Sequence, residues 1–173
     1  MRAEVAQTPA ASNSACAIAA PVRLSAWVSG KGQTILFPDQ PIVECEFALV
    51  LSDYTRVLIA PLGAASMGAA VTSIHTGPGF ECRGRNHASG GKISAHGKGL
   101  AVDITSIEFA NKRQVRIDHQ NDADEIAFFH AVRRAACGWF STVLGPGADA
   151  YHDDNLHLDI EMHGSSSSYR ICQ

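Results

Sequence analysis

The sequence predicts an α+β domain, an antiparallel sheet with flanking helices. Several short segments carry the alternation of β-strands, and two longer ones carry helical periodicity. The strands are scattered, without the regular strand–helix rhythm of a wound parallel sheet. At 173 residues the chain is most economically one domain with one core.

Met1 to Ala15 is rich in Ala, Ser, Thr, Pro and Gln and lacks the apolar stretch of a signal peptide. It resembles the low-complexity spacer that often follows one. Residues 1–15 are therefore expected to be disordered and residues 16–173 to form the domain. Val22-Arg-Leu24-Ser-Ala26-Trp-Val28 alternates and reads as a strand, Gly30-Lys-Gly32 as a turn, and Pro38 to Pro41 as a break.

From Ile42 to about Leu62, the positions Val43, Phe47, Val50, Leu51, Tyr54 and Leu58 recur at helical steps. This predicts a long amphipathic helix that bends or ends at Pro61, before Gly63. No apolar run approaches the roughly 18 residues of a membrane span. The longest, Phe47 to Ala60, is interrupted by Ser52, Asp53, Thr55 and Arg56 and reads as a core helix.

Val71 to His75 is a short strand, and Thr76 to Lys92 a loop rich in Gly, Arg, Asn and His. Leu100 to Phe109 is β-branched and apolar, with Arg113 to Ile117 as its hairpin partner. Asp122-Ala-Asp-Glu125 supplies acids for the start of a helix from about Ala123 to Cys137, with Ile126, Phe129, Val132 and Ala136 inward. Gly145-Pro-Gly147 is a loop. Asn155 to Met162 alternates Leu156, Leu158, Ile160 and Met162 against His157, Asp159 and Glu161, as a strand does.

A formal net charge of −3 gives no reason to expect nucleic acid or an anionic membrane surface as a partner. The cysteines Cys16, Cys45, Cys82, Cys137 and Cys172 lie far apart with no C-x-x-C pair. That spacing argues against a cysteine zinc site and fits long-range disulfides in an oxidising compartment. An odd count leaves one thiol over, and pairing is open at this level.

Two stretches carry the chemistry: Ser94-Ala-His96-Gly-Lys-Gly99-Leu-Ala-Val-Asp103 and His152-Asp-Asp-Asn155-Leu-His157-Leu-Asp159. His96 sits in a glycine-shaped turn before a strand that carries Asp103. On an antiparallel sheet His157 can reach the same face. Two imidazoles and a carboxylate hold Zn2+ while leaving a fourth position for water, whose pKa falls toward about 7 there.

The Ser-x-His-x-x-Gly-x-Ala-x-Asp string from Ser94 to Asp103, with a late His-x-x-x-x-His, resembles the lysostaphin/D-Ala-D-Ala metallopeptidase/sonic hedgehog group of zinc proteins. More closely, the chain resembles the extensin-like C-terminal domain family of bacterial envelope proteins. Cys16 with Pro21-Val-Arg-Leu-Ser25, Phe80-Glu-Cys82-Arg83, Val143-Leu-Gly-Pro-Gly147 and His157-Leu-Asp159 carry that likeness, which runs from Cys16 to Cys172.

The resemblance implies a hedgehog/DD-peptidase-like fold with His96, Asp103 and His157 as zinc ligands. It places His152 and Asp154 around the metal-bound water as general-base candidates, Asp154 the better of the two. Arg83 and Arg85 would face a carbonyl oxygen or a terminal carboxylate, a role that suits the planar guanidinium fork. Ser94 and Asn155 are read as substrate-binding. The family pattern carries a His-x-His pair where this chain has Asn155-x-His157, and Asn cannot titrate. Ala95 stands where the extensin-like proteins often have an acid, a difference that removes a nearby charge but no ligand.

The expected function is a periplasmic or secreted zinc metallopeptidase that hydrolyses an amide bond in peptidoglycan peptide stems or cross-links. The alternative is a non-catalytic, zinc-containing wall-binding or envelope scaffold domain. His163 reads as a surface residue, and His75, His87, His119 and His130 have no spacing that links them to the site. Trp27 and Trp139 read as core or rim, and Ser165 to Ser168 as a flexible segment. No Gly-x-Ser-x-Gly elbow or phosphate-binding loop occurs.

Overall fold

A computed structural model describes residues 1–11, 13–85, 91–164 and 169–173. Ten strands form one sheet: β1 (Arg2–Val5), β2 (Pro21–Val28), β3 (Thr34–Leu36), β4 (Ile42–Glu44), β5 (Val71–Thr76), β6 (Ala101–Phe109), β7 (Gln114–Arg116), β8 (Thr142–Leu144), β9 (Leu156–Asp159) and β10 (Ile171–Cys172). The spatial order is β1-β2-β3-β5-β6-β9-β8-β10, with β4 also on β2 and β7 on β6. Pairing is antiparallel except at β3–β5 and β8–β10, so the sheet is mixed at those contacts. The α+β class stands.

Helices α1 (Cys45–Tyr54), α2 (Ala60–Ser66) and α3 (Ala123–Ala136) cover one face. Phe47, Leu51 and Tyr54 of α1 and Phe128, Phe129 and Val132 of α3 share one core with Ile74, Val102, Ile104, Leu156 and Leu158 of the sheet. Burying each such side chain stabilises the fold by about 1.5–3 kcal/mol. Tyr54 keeps its hydroxyl satisfied inside this core by donating to the Val132 carbonyl at 2.7 Å. Trp27 is buried; Trp139 sits at the rim, where its indole N–H donates to Asp53 Oδ2 at 2.9 Å.

Several expectations are corrected. The leading segment is not wholly without structure, because Arg2–Val5 pairs antiparallel with β2 as an edge strand. The long helix begins at Cys45, since Ile42–Glu44 instead pairs with Pro21–Arg23. Nor does it end at Pro61. A π-helical segment, Thr55–Ile59, joins α1 to α2, and its wider turn accommodates a residue without an N–H donor.

Cys45–Ser66 is thereby 22 residues long and contains an 18-residue stretch of mean hydropathy 1.3, enough by length and composition to cross a membrane, although no single apolar run suggested it. Here one of its faces packs into the core through Phe47, Leu51, Tyr54 and Ile59, while Leu49 and Val57 are exposed. On α3 the inward positions are Phe128 and Phe129, and Ile126 is 43% exposed. Glu125 is buried there too, accepting from the Asn121 backbone and side-chain amides and pairing with Arg113. The strand expected over Asn155 to Met162 is shorter than its alternation suggested, Leu156–Asp159 alone, and Met162 is exposed.

Disulfides join Cys16 to Cys82 and Cys137 to Cys172; Cys45 is the free, exposed thiol. Long loops closed this way stabilise by roughly 2–4 kcal/mol each, and two bridges fit an oxidising environment. Cys16 belongs to a second, smaller core with Ile18 and Phe80, against which Ile42, Cys82 and Ile93 pack.

Candidate metal centre

Asp103 on β6 lies directly opposite His157 on β9 in the antiparallel register. Their neighbours Val102, Ile104, Leu156 and Leu158 face the helix-covered core, so alternation sends Asp103 and His157 to the other face. His96 arrives from a 3-10 turn, Ala95–Lys98, that closes on Gly99 at φ 68°, a left-handed conformation suited to glycine. The glycine at 97 is needed for space. A Cβ there would stand 2.6 Å from Ile93 Cγ2 and 3.1 Å from Cys16 Sγ.

The three side chains meet. His96 Nε2 lies 3.1 Å from His157 Nδ1 and 3.2 Å from Asp103 Oδ2, and His157 Nδ1 lies 2.8 Å from Asp103 Oδ1. On the outer side, His96 Nδ1 donates to the Gly79 carbonyl at 2.7 Å, and His157 Nε2 to Asp159 Oδ2 at 3.1 Å. With both outer nitrogens protonated, the inner ones present bare lone pairs toward a carboxylate. Three acceptors converging within 4.8 Å repel one another unless a cation sits among them. The donor set therefore fits a divalent metal held by two imidazoles and one carboxylate, with outer hydrogen bonds fixing each ring.

Without a metal, a proton takes that place. Burial alone would push the His157 pKa down, but its hydrogen bonds to Asp103 and Asp159 outweigh this and raise it to about 9. Burial likewise works against the Asp103 carboxylate, yet hydrogen bonds from His157 and His96 hold it well below the usual carboxylate range. The two shifts describe one shared ion pair.

His157 opens onto a cleft of about 220 Å³ that is also lined by Arg83, Arg85, Ser94, Asp149, His152, Asp159, Glu161 and His163. Arg83 bonds Glu81 at 2.8 Å and reaches within 4.0 Å of Asp103 Oδ2. Arg85 is engaged by Glu161 at 2.6 Å. Ser94 is buried at the cleft wall. His152 packs its ring edge-on against His157, centroids 5.4 Å apart, and its Nδ1 donates to Asp149 Oδ1 at 2.7 Å.

Asp154 lies elsewhere. It is exposed, lines a separate depression with Thr105, Ser106, Arg116 and Asp118, and accepts from Asn155 Nδ2 at 2.9 Å. Of the two general-base candidates, His152 is the one that lines the cleft with His157. Asn155 is not among the cleft-lining residues; its amide is turned to Asp154 and the Tyr151 carbonyl.

Sequence reasoning left four residues without a role. Asp159 orients His157; the i, i+2 spacing on a strand was the available signal. Glu161 is buried and binds Lys98 and Arg85 at 2.6 Å each. Burial raises its pKa, and those two cations more than reverse the effect. Asp149 holds His152. Thr142 bonds His163 at 2.8 Å, so this histidine lines the cleft and is not a plain surface residue. His75 lies between Asp39 and Glu108, apart from the cleft residues. His87 and the run Ser165 to Ser168 fall outside the described residues.

Among known proteins, no curated sequence and no solved structure matches the chain. One family model does, and it spans residues 1–173. The chain belongs to the family described as extensin-like protein C-terminus.

Proposed function

We propose that this domain is a zinc metallopeptidase of the periplasm or cell exterior, with a hedgehog/DD-peptidase-like fold, that hydrolyses an amide bond in peptidoglycan peptide stems or cross-links. The observation that carries this reading is the convergence of His96, Asp103 and His157 on one point at the wall of an open, polar cleft. Zinc bound there supplies Lewis acidity and a water of lowered pKa. The remaining chemistry belongs to side chains. His152, its Nδ1 proton committed to Asp149, leaves Nε2 to take a proton from a nucleophile in the cleft and return it to the leaving amine. Arg83, which lines the cleft and reaches within 4.0 Å of Asp103 Oδ2, would stabilise negative charge developing on a carbonyl oxygen.

The test is metal analysis of the native protein together with a sacculus digest read by mass. Zinc bound at one equivalent and muropeptides cleaved by the wild type, but not by His157→Ala, is the expected pair of results. Cross-linked muropeptides left unchanged by both proteins would remove the peptidase reading.

A second reading, a zinc-holding wall-binding or scaffold domain without turnover, draws on one observation. Asn155 replaces the outer histidine of the family pattern, and its amide is tied to Asp154 and the Tyr151 carbonyl. That reading predicts bound metal and affinity for muropeptides without cleavage. Under it, Asn155→His creates or raises hydrolysis.

A further inference from the structure

The segment Gly79 to Arg83 touches the His96 turn at three backbone points. The Gly79 carbonyl accepts the His96 Nδ1 proton, the Glu81 amide donates to the His96 carbonyl at 3.3 Å, and the Arg83 carbonyl accepts from the Ser94 amide at 3.0 Å. Cys82 lies between the last two of these contacts and is tied to Cys16, whose sulfur packs against Gly97. Ile18 packs the same way beneath Gly99, where a Cβ would stand 2.8 Å from its Cδ1. The bridge therefore pins one metal-binding side chain from beneath, through a small core separate from the main one. Asp103 and His157, by contrast, stand on two central strands of the sheet.

From this asymmetry we infer that the Cys16–Cys82 disulfide is a redox-sensitive latch on the metal site: opening it frees His96 and lowers metal affinity while the sheet and main core persist. The inference rests on the proposed metal binding. Its chemistry is thiol–disulfide exchange with a dithiol reductant. One reductant thiolate attacks the Sγ of Cys82, the less buried of the two residues, and Cys16 leaves as a thiolate. The reductant's second thiolate then attacks its own sulfur in the mixed disulfide and releases Cys82. The reductant departs as a disulfide, and its two protons go to the cysteines.

Loss of an outer hydrogen bond to a ligating histidine costs about 10–100-fold in metal affinity, and release of the turn removes the Gly79 contact. The second bridge serves as a control. Cys137 and Cys172 join the end of α3 to β10 and contact none of the three ligands directly.

The experiment compares full-length wild type, Cys137→Ser/Cys172→Ser, and the latter after reduction with dithiothreitol, when Cys16–Cys82 is the bridge being opened. Zinc affinity is read by chelator competition, global fold by circular dichroism, and local order by amide hydrogen exchange. The expected result is a fall in affinity of about 10-fold or more on reduction, with lost protection at the Glu81 and Ser94 amides and unchanged far-UV signal. Unchanged affinity and protection would overturn the latch, and so would cooperative unfolding of the whole domain, which would make the bridge a general brace. Absence of zinc binding by the oxidised wild type would overturn the metal site itself, and the latch with it. Zinc binding that is indifferent to reduction overturns the latch alone.

Discussion

Asp159 accepts the Nε2 proton of His157 at 3.1 Å, and this single contact decides which nitrogen of the ring faces Asp103 and His96. With the proton held outward, Nδ1 is the atom left free to ligate a metal. Asp159→Ala should lower zinc affinity by about 10–100-fold, measured by competition with a chelator, because the ring loses both its tautomer and its orientation. Asp159 also accepts from the Glu161 amide at 3.0 Å, so a modest fall in thermal stability should accompany it. Undiminished affinity would show that the ring is held without Asp159.

The shared ion pair predicts a pH dependence for metal-free protein. The folded-state pKa of His157 is raised from its ordinary 6.5 to about 9. A raised cationic pKa contributes stability that is fully present below the unfolded value and is lost as pH rises through the folded one. Thermal unfolding of apo protein should therefore show a stability loss between pH 6.5 and about 9 that His157→Gln lacks. Zinc must displace that proton, so zinc affinity should climb over the same window. A flat apo stability profile in both proteins would count against the pair.

Position in the cleft separates two candidate proton carriers. His152→Ala should retain zinc and lose muropeptide hydrolysis by about 100-fold or more, the usual weight of a general base. Asp154→Ala should leave both nearly unchanged, because Asp154 lines a different depression. The paired assay is metal content and turnover on one preparation of each variant. The reverse pattern would restore Asp154 as base.

What could be read from the chain, and what could not, follows from the range of the forces involved. Asp103 and His157 were legible because strand alternation is local and turns each to the face away from its core-facing chain neighbours. His96 was legible from the glycines that shape its turn. The start of α1 was not, because Ile42 and Val43 satisfy helical spacing equally well, and only their pairing with β2 makes them a strand. Ile126 was misplaced for a related reason. Adjacent Phe128 and Phe129 blur the helical phase, and burial of Glu125 requires Asn121 and Arg113 from outside the periodic pattern. Asp154 was preferred for its spacing to His157, but spacing along an irregular loop does not determine which way a side chain points.

Gly97→Ala tests the packing beneath the candidate metal site without replacing any of its three side chains. The added Cβ would stand 2.6 Å from Ile93 Cγ2, a distance that forces movement, and 3.1 Å from the Cys16 sulfur, which the disulfide holds in place. Ile93 is half-buried and packs against the small core of Cys16, Ile18 and Phe80, which resists its displacement. Overpacking of this kind costs about 1–3 kcal/mol. Because the strain falls on the turn that carries His96, zinc affinity should drop along with the urea midpoint. Gly147→Ala, in a loop where no atom lies within 4 Å of the added Cβ, should carry its own φ 90° penalty in stability yet leave zinc affinity alone. Equal effects of the two substitutions on metal binding would show that the His96 turn is indifferent to the core beneath it.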